Sequence, residues 1–276
     1  MRFLGPIPQR LMFRAMKAVT KSWGAGVDRI RQREGLKFAS RCVVLDDMFS
    51  PYGILGWFSG ILGERQPDWP APNRITGFAF YDRHTPGADA DTGAGRFCSR
   101  GRPSGGVYAG VLRSGRRRRL LRAESRGCSQ EWLPSVFLVG DQGRKDTASA
   151  DDGVFVTAYA PYSELFPRCA AVVHQGGIGT LACALHAGVP SLIVPLGLDQ
   201  PDNAFRAERI SVARVLPRRR YNAARTASHL RALLDSPRYA ARAHAAAERV
   251  RRENGVENAC DAIEEVLRQP ALDSRG

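Results

Sequence analysis

Acidic side chains are in short supply: 27 Asp and Glu face 41 Lys and Arg, a formal charge of +14 over 276 residues. Histidine is scarcer still, with five in the chain and none before His84. No stretch reaches the roughly 20 consecutive apolar residues that a bilayer span requires; the best candidate, residues 52–63, is short and broken by glycines. The six cysteines form no C-x-x-C pair and do not alternate with histidine at ligand spacing, so no metal site is expected. They read as scattered reduced thiols of a cytoplasmic protein. The first residues are basic and amphipathic but lack an uninterrupted apolar core before a small-residue cleavage site, so no secretory signal is expected. They read as one face of a domain helix, with peripheral membrane contact as the most they would allow.

A basic excess invites a nucleic-acid reading, but its location argues against one. Residues 97–134 hold nine arginines and two glutamates, a net +7, which is half of the whole imbalance. The run Arg116-Arg117-Arg118-Arg119 sits there. The excess belongs to one odd segment rather than to a face of a fold, and no nucleic-acid partner is expected.

Turning to what is present, the apolar run 170–173 has β-strand character and leads into His174-Gln175-Gly176-Gly177-Ile178-Gly179-Thr180. Residues 181–187 then read as a helix, closed by Gly188. Glycines at such a turn let backbone N–H groups approach a ligand, and the helix N-terminus adds partial positive charge. The ligand suited to that geometry is a phosphate. After Gly188-Val189-Pro190 comes a second apolar strand, 191–195, and then Asp199-Gln200-Pro201-Asp202-Asn203-Ala204. A carboxylate and two carboxamides at the end of the next strand suit a hydroxyl-rich molecule, and parallel α/β sheets bind ligands at that edge. Together the two tips point to a phosphorylated sugar.

Residues 159–203 resemble the donor-binding signature of family 1 glycosyltransferases, the UDP-glycosyltransferase type with the GT-B fold. The bacterial branch is the match, through the H-x-G-x-x-G-T turn at 174–180, A-L-x-A-G-V-P at 184–190 and D-Q-x-x-N-A at 199–204. The resemblance implies an α/β, doubly wound parallel sheet, the Rossmann-like C-terminal half of GT-B, with a remnant of the N-terminal half. It implies a hexosyltransferase that moves sugar from a nucleoside diphosphate, expected to be UDP, to a hydroxyl of a small-molecule or lipid acceptor. No cofactor is implied beyond the donor substrate.

Residue by residue, the resemblance assigns the donor diphosphate to His174, Gly176, Gly177, Ile178, Gly179 and Thr180. Asp199 and Gln200 match the pair that binds the sugar hydroxyls, Tyr159 would stack on the base, and the Ala160 backbone would read its edge. The bland alternatives are a capped strand-end histidine for His174, helix capping for Asp199 and Gln200, and a core tyrosine for Tyr159. No residue is assigned as catalytic, because the family's basic histidine lies near its N-terminus and nothing here matches it. Activity is therefore expected to be impaired, and a non-catalytic nucleotide-sugar-binding remnant is the alternative.

The expected organisation follows. Residues 1–70 read as the tail of an acceptor-binding domain, with helix over 1–40, and 71–96 as the crossing and first strand of the next domain, with a strand over 75–81. Residues 97–135 break the pattern: 105–112 makes a poor strand where the family calls for a proline-introduced one. Read one nucleotide later, its codons can spell that strand, so a frameshift is the expectation there, with a disordered Arg-rich product. The donor-binding domain spans 136–268, with Ser163 expected to cap a short helix, and 269–276 is a tail.

Overall fold

Six parallel strands carry the site. They are β3 (Val107–Val111), β4 (Ser135–Leu138), β5 (Val154–Thr157), β6 (Cys169–His174), β7 (Ser191–Ile193) and β8 (Ala213–Val215), in the order β5-β4-β3-β6-β7-β8. The computed structural model describes residues 6–36, 49–67, 69–81, 107–111, 135–140 and 154–268. The strand order runs outward from β3 in one direction and then, from β6, in the other. That is the doubly wound arrangement, and the crevice at the reversal, between the C-terminal ends of β3 and β6, is where such sheets bind ligands.

β4, β6 and β7 are buried on both faces, as strands of parallel sheets are. Alternation along β6 divides its side chains: Ala171 and Val173 pack with Leu192, Leu230 and Leu233, whereas Val172 packs with Val136, Leu165 and Phe166. The crossover helices follow from the sequence. α3 (Tyr162–Leu165) is a single turn, and α4 (Ile178–Ala187) ends where Gly188 takes a left-handed conformation (φ 76°) and returns its N–H to Ala184 and Leu185. α5 (Gln200–Arg209), α6 (Ala223–Leu234), α7 (Pro237–Arg251) and α8 (Gly255–Arg268) complete the domain, α6 being capped by Asn222, whose side chain accepts the Arg225 N–H at 3.0 Å. Upstream lie α1 (Pro6–Thr20) and α2 (Ala25–Arg33), joined by a 3-10 turn, and the paired strands β1 (Ile54–Gly56) and β2 (Asn73–Ile75).

The chain divides into two compact units: residues 1–55, 66–74 and 263–276 form one, and 56–65 with 75–262 form the other. In the first, Ile54 N–H donates to the Pro72 carbonyl at 3.0 Å and Arg74 pairs with Glu265. In the second, Ser59 donates to Glu253 at 2.6 Å and Asn258 to the Thr76 carbonyl at 2.9 Å.

Three local expectations differ from the structure. Residues 75–81 do not continue as a strand, because Gly77 takes φ +101° and turns the chain to lie against Glu253 and Gly255. Ser163 is not a cap: Pro161 occupies that position, and Ser163 lies inside the single turn of α3. Val107–Val111, within the stretch read as a poor strand, is the central strand β3, paired with both β4 and β6. Its backbone needs only two neighbouring ladders to be a strand, and those neighbours are set by other segments. The remainder of 97–134 lies outside the described residues, as do 82–96 and the tail 269–276.

Candidate functional site

β6 delivers His174 to the reversal point of the sheet, and the glycine turn begins there. His174 is 2 % exposed. Its Nδ1 accepts the Gly176 N–H at 3.0 Å, so the neutral ring carries its proton on Nε2, and that Nε2 is buried without a hydrogen-bond partner among the described residues. Burial pushes the His174 pKa down from 6.5 to about 4, because a desolvated imidazolium is disfavoured. His174 is thus a neutral N–H donor at pH 7. The adjacent Gln175 Oε1 is likewise buried and unpartnered. An orphaned donor and an orphaned acceptor side by side are uncommon in a folded interior, each costing on the order of 1–3 kcal/mol unless something meets it.

The glycines of the turn differ in what they answer to. Gly176 is buried with φ +89°, and a Cβ there would lie 2.8 Å from the Ile193 side chain and 3.2 Å from the Gln200 carbonyl. Gly177 is the N-cap of α4, with no side-chain cap bond, and supplies its carbonyl to Leu181 N–H at 3.0 Å. Gly179, in the first turn of α4, is exposed, and a Cβ there would meet nothing within 4 Å. The amides of Ile178, Gly179 and Thr180 form the first turn of a ten-residue helix, where backbone donors have no intrahelical acceptor. Gly177, the N-cap residue, gives them no side-chain cap bond, which leaves their partial positive charge unmet by the cap.

β7 delivers the second group. Gln200 Oε1 accepts the Leu196 N–H at 2.8 Å and the Gly197 N–H at 3.4 Å, which folds the loop after β7. Asp199 is exposed and is the N-cap residue of α5, yet its carboxylate makes no cap bond. Its Oδ2 instead accepts from Asn203 Nδ2 at 2.8 Å. The same Asn203 nitrogen donates to the Gly176 carbonyl at 3.0 Å. The helix-capping alternative for Asp199 and Gln200 therefore does not describe their side chains, and the two tips are physically joined through Asn203. Leu198, between them and Gly197, is 97 % exposed and holds φ +57°.

Tyr159 and Ala160 follow β5, the sheet edge three places from β6. Tyr159 is 42 % exposed, so it is not a core tyrosine, and its carbonyl accepts from Thr157 Oγ1 at 3.2 Å. The Ala160 side chain is core, packed with Leu165 and Phe166. The structure brings His174, the turn and Asp199–Gln200 together through Gly176 and Asn203. Sequence reasoning missed Gln175; the signal was its place between the strand-end histidine and the first glycine, where any side chain is carried into the turn. Among the described residues there is no cluster of His, Cys, Asp or Glu placed to hold a metal, and no helix long and apolar enough to cross a membrane.

Comparison with known proteins fits this geometry. Residues 135–266 match the family model of the erythromycin biosynthesis protein CIII-like C-terminal domain. The O-mycaminosyltylonolide 6-deoxyallosyltransferase of Streptomyces fradiae is 35 % identical over 274 residues, covering 95 % of this chain and 61 % of that enzyme. The chain thus spans about three fifths of the length of that relative. Among solved structures, the glycotransferase of kitacinnamycin superposes with a TM-score of 0.68 at 20 % identity, over 95 % of this chain and 68 % of its own. The glycosyltransferase VinC in complex with dTDP gives 0.52 at 25 % identity, over 62 % of this chain and 44 % of its own. The fold is the α/β, doubly wound architecture of GT-B glycosyltransferases. Over residues 135–266 the chain is similar to the erythromycin biosynthesis protein CIII-like C-terminal domain, and over nearly its whole length to that Streptomyces 6-deoxyallosyltransferase.

Proposed function

We propose that this chain binds a pyrimidine nucleoside diphosphate hexose and that the protein transfers the hexosyl group to a hydroxyl acceptor. The observation that carries the reading is the open first turn of α4 beside a buried, unpartnered His174 Nε2 at the sheet reversal. In this reading His174 and the amides of Gly177, Ile178, Gly179 and Thr180 hold the diphosphate. They also meet the negative charge that grows on it as the bond to the anomeric carbon breaks. The group transfer then needs no metal for that charge. Asp199 and Gln200 face the hexose, and Tyr159 with the Ala160 backbone receives the base.

The Streptomyces relative transfers a deoxyhexose by its name, and the VinC structure holds dTDP. These support thymidine as well as uridine in the base position. The acceptor in this reading is a hydroxyl-bearing small molecule. No residue of the chain is assigned as the base that would deprotonate it, so binding is expected to exceed transfer. The frameshift reading of 97–135 makes its own prediction: the gene, read one nucleotide later, spells a proline-introduced strand there.

Calorimetric titration of the full chain with UDP, dTDP and their hexose conjugates tests the reading. Saturable one-to-one binding to at least one is expected, and no binding to any would refute it. A transfer assay with the same conjugates then separates an active enzyme from a non-catalytic binding remnant.

A further inference from the structure

Asn203 spends both protons of its side-chain nitrogen on opposite partners. One goes to the Gly176 carbonyl at 3.0 Å, the other to Asp199 Oδ2 at 2.8 Å. Asn203 is itself 9 % exposed, so neither bond competes freely with water. On the far side of Gly176, its N–H donates to His174 Nδ1 at 3.0 Å. An unbroken route of hydrogen bonds therefore runs from the Asp199 carboxylate, through Asn203 and both backbone groups of Gly176, to the His174 ring. Gly176 cannot yield sideways, because Ile193 and the Gln200 carbonyl lie where its Cβ would be.

We propose that Asn203 is a positioning residue that couples the two tips, so that holding the hexose at Asp199 and holding the diphosphate at His174 reinforce one another. The inference rests on the donor-site reading above. Asp199 orients the Asn203 amide; the amide pins the Gly176 carbonyl; the pinned glycine sets the ring that carries the Nε2 proton. Disturbing Asp199 should then be felt by a ligand that has no hexose at all. Two reciprocal sites joined this way share a coupling free energy.

The sign of the effect separates coupling from simple electrostatics. Removing the negative charge of Asp199 near an anionic ligand would, by Coulomb's law alone, strengthen binding. Coupling through Asn203 predicts the reverse. The experiment titrates the chain with dTDP and UDP, each without sugar, in five forms: unaltered, Asp199→Ala, Asp199→Asn, Asn203→Ala, and Asn203→Ala combined with Asp199→Ala. Asp199→Ala is expected to weaken nucleoside diphosphate binding about fivefold. Asp199→Asn, which keeps an oxygen to accept the Asn203 N–H, is expected to restore most of that loss. In the Asn203→Ala background, Asp199→Ala is expected to change nothing further.

Unchanged or tighter nucleoside diphosphate binding by Asp199→Ala would overturn the coupling and leave the donor site standing. So would an Asp199→Ala loss of equal size with and without Asn203. If the unaltered chain binds no nucleoside diphosphate, the donor site and the coupling fall together. Should Asn203→Ala fail to fold, Asp199→Leu decides the matter: it fills the space of the carboxylate without an accepting oxygen, so coupling predicts the same loss as Asp199→Ala, whereas binding equal to that of Asp199→Asn would overturn it.

Discussion

The turn after β6 and the loop after β7 use the same kinds of residue at neighbouring strand ends, yet they treat their polar groups differently. In the loop, Gln200 accepts two backbone amides and Asp199 is held by Asn203. In the turn, His174 Nε2 and Gln175 Oε1 are buried without partners, and no side chain caps the first amides of α4. The loop largely satisfies itself, whereas the turn is left with donors and an acceptor that no described residue meets. Self-satisfaction makes a scaffold; unmet polar groups at an open helix end make a binding surface.

The contrast can be broken most forcefully at Gly176. Gly176→Ala places a Cβ against Ile193, strains φ +89° and disturbs the bonds to His174 and Asn203. Crowding, strain and lost hydrogen bonds together should cost roughly 4 kcal/mol of unfolding free energy in denaturant titration. A loss below about 1 kcal/mol would mean that the turn tolerates rearrangement.

Acid probes the buried ring next. The folded pKa of His174, about 4, lies below its unfolded value of 6.5. Its contribution to stability is therefore fully present above pH 6.5 and is lost as pH falls toward 4. The total is roughly 3 kcal/mol. His174→Gln should remove that part of the pH dependence, seen as a flatter stability curve between pH 6.5 and 4 than in the unaltered chain. Parallel curves would place the ring in water.

Two smaller effects sharpen the contrast between tips. Asp199→Ala should lower the extra affinity that a hexose adds to a nucleoside diphosphate by about tenfold, near 1.4 kcal/mol, in calorimetry. Gln200→Ala should act on the fold as well as on the hexose, lowering stability by about 1 kcal/mol through the freed amides of Leu196 and Gly197. Equal effects of the two variants on stability and on hexose affinity would erase the distinction drawn between them.

Much of the donor half was legible because glycine and proline punctuate it. The apolar runs before His174 and before Pro195, with Gly188 between them, place β6, α4 and β7 with little ambiguity. β3 was not legible, since Val107–Val111 mixes glycine and tyrosine and becomes a strand only through β4 and β6 on either side. Residues 76–81 misled because their apolar pattern is strand-like while Gly77 turns the backbone. At the site, residue types pointed to the polar groups of the turn and of the loop after β7. They could not reveal that Asn203 reaches across to Gly176, because 27 residues separate the two and only the fold closes that distance.

The most direct test of the central claim is calorimetry on a Gly179→Val variant of the full chain, beside the unaltered chain, with dTDP and UDP. Gly179 has open space where a side chain would go, so stability should change by no more than about 1 kcal/mol. The valine would stand where the diphosphate approaches the α4 amides, and affinity should fall at least about tenfold. Undiminished nucleoside diphosphate affinity in a folded Gly179→Val chain would contradict the assignment of this turn as the diphosphate site.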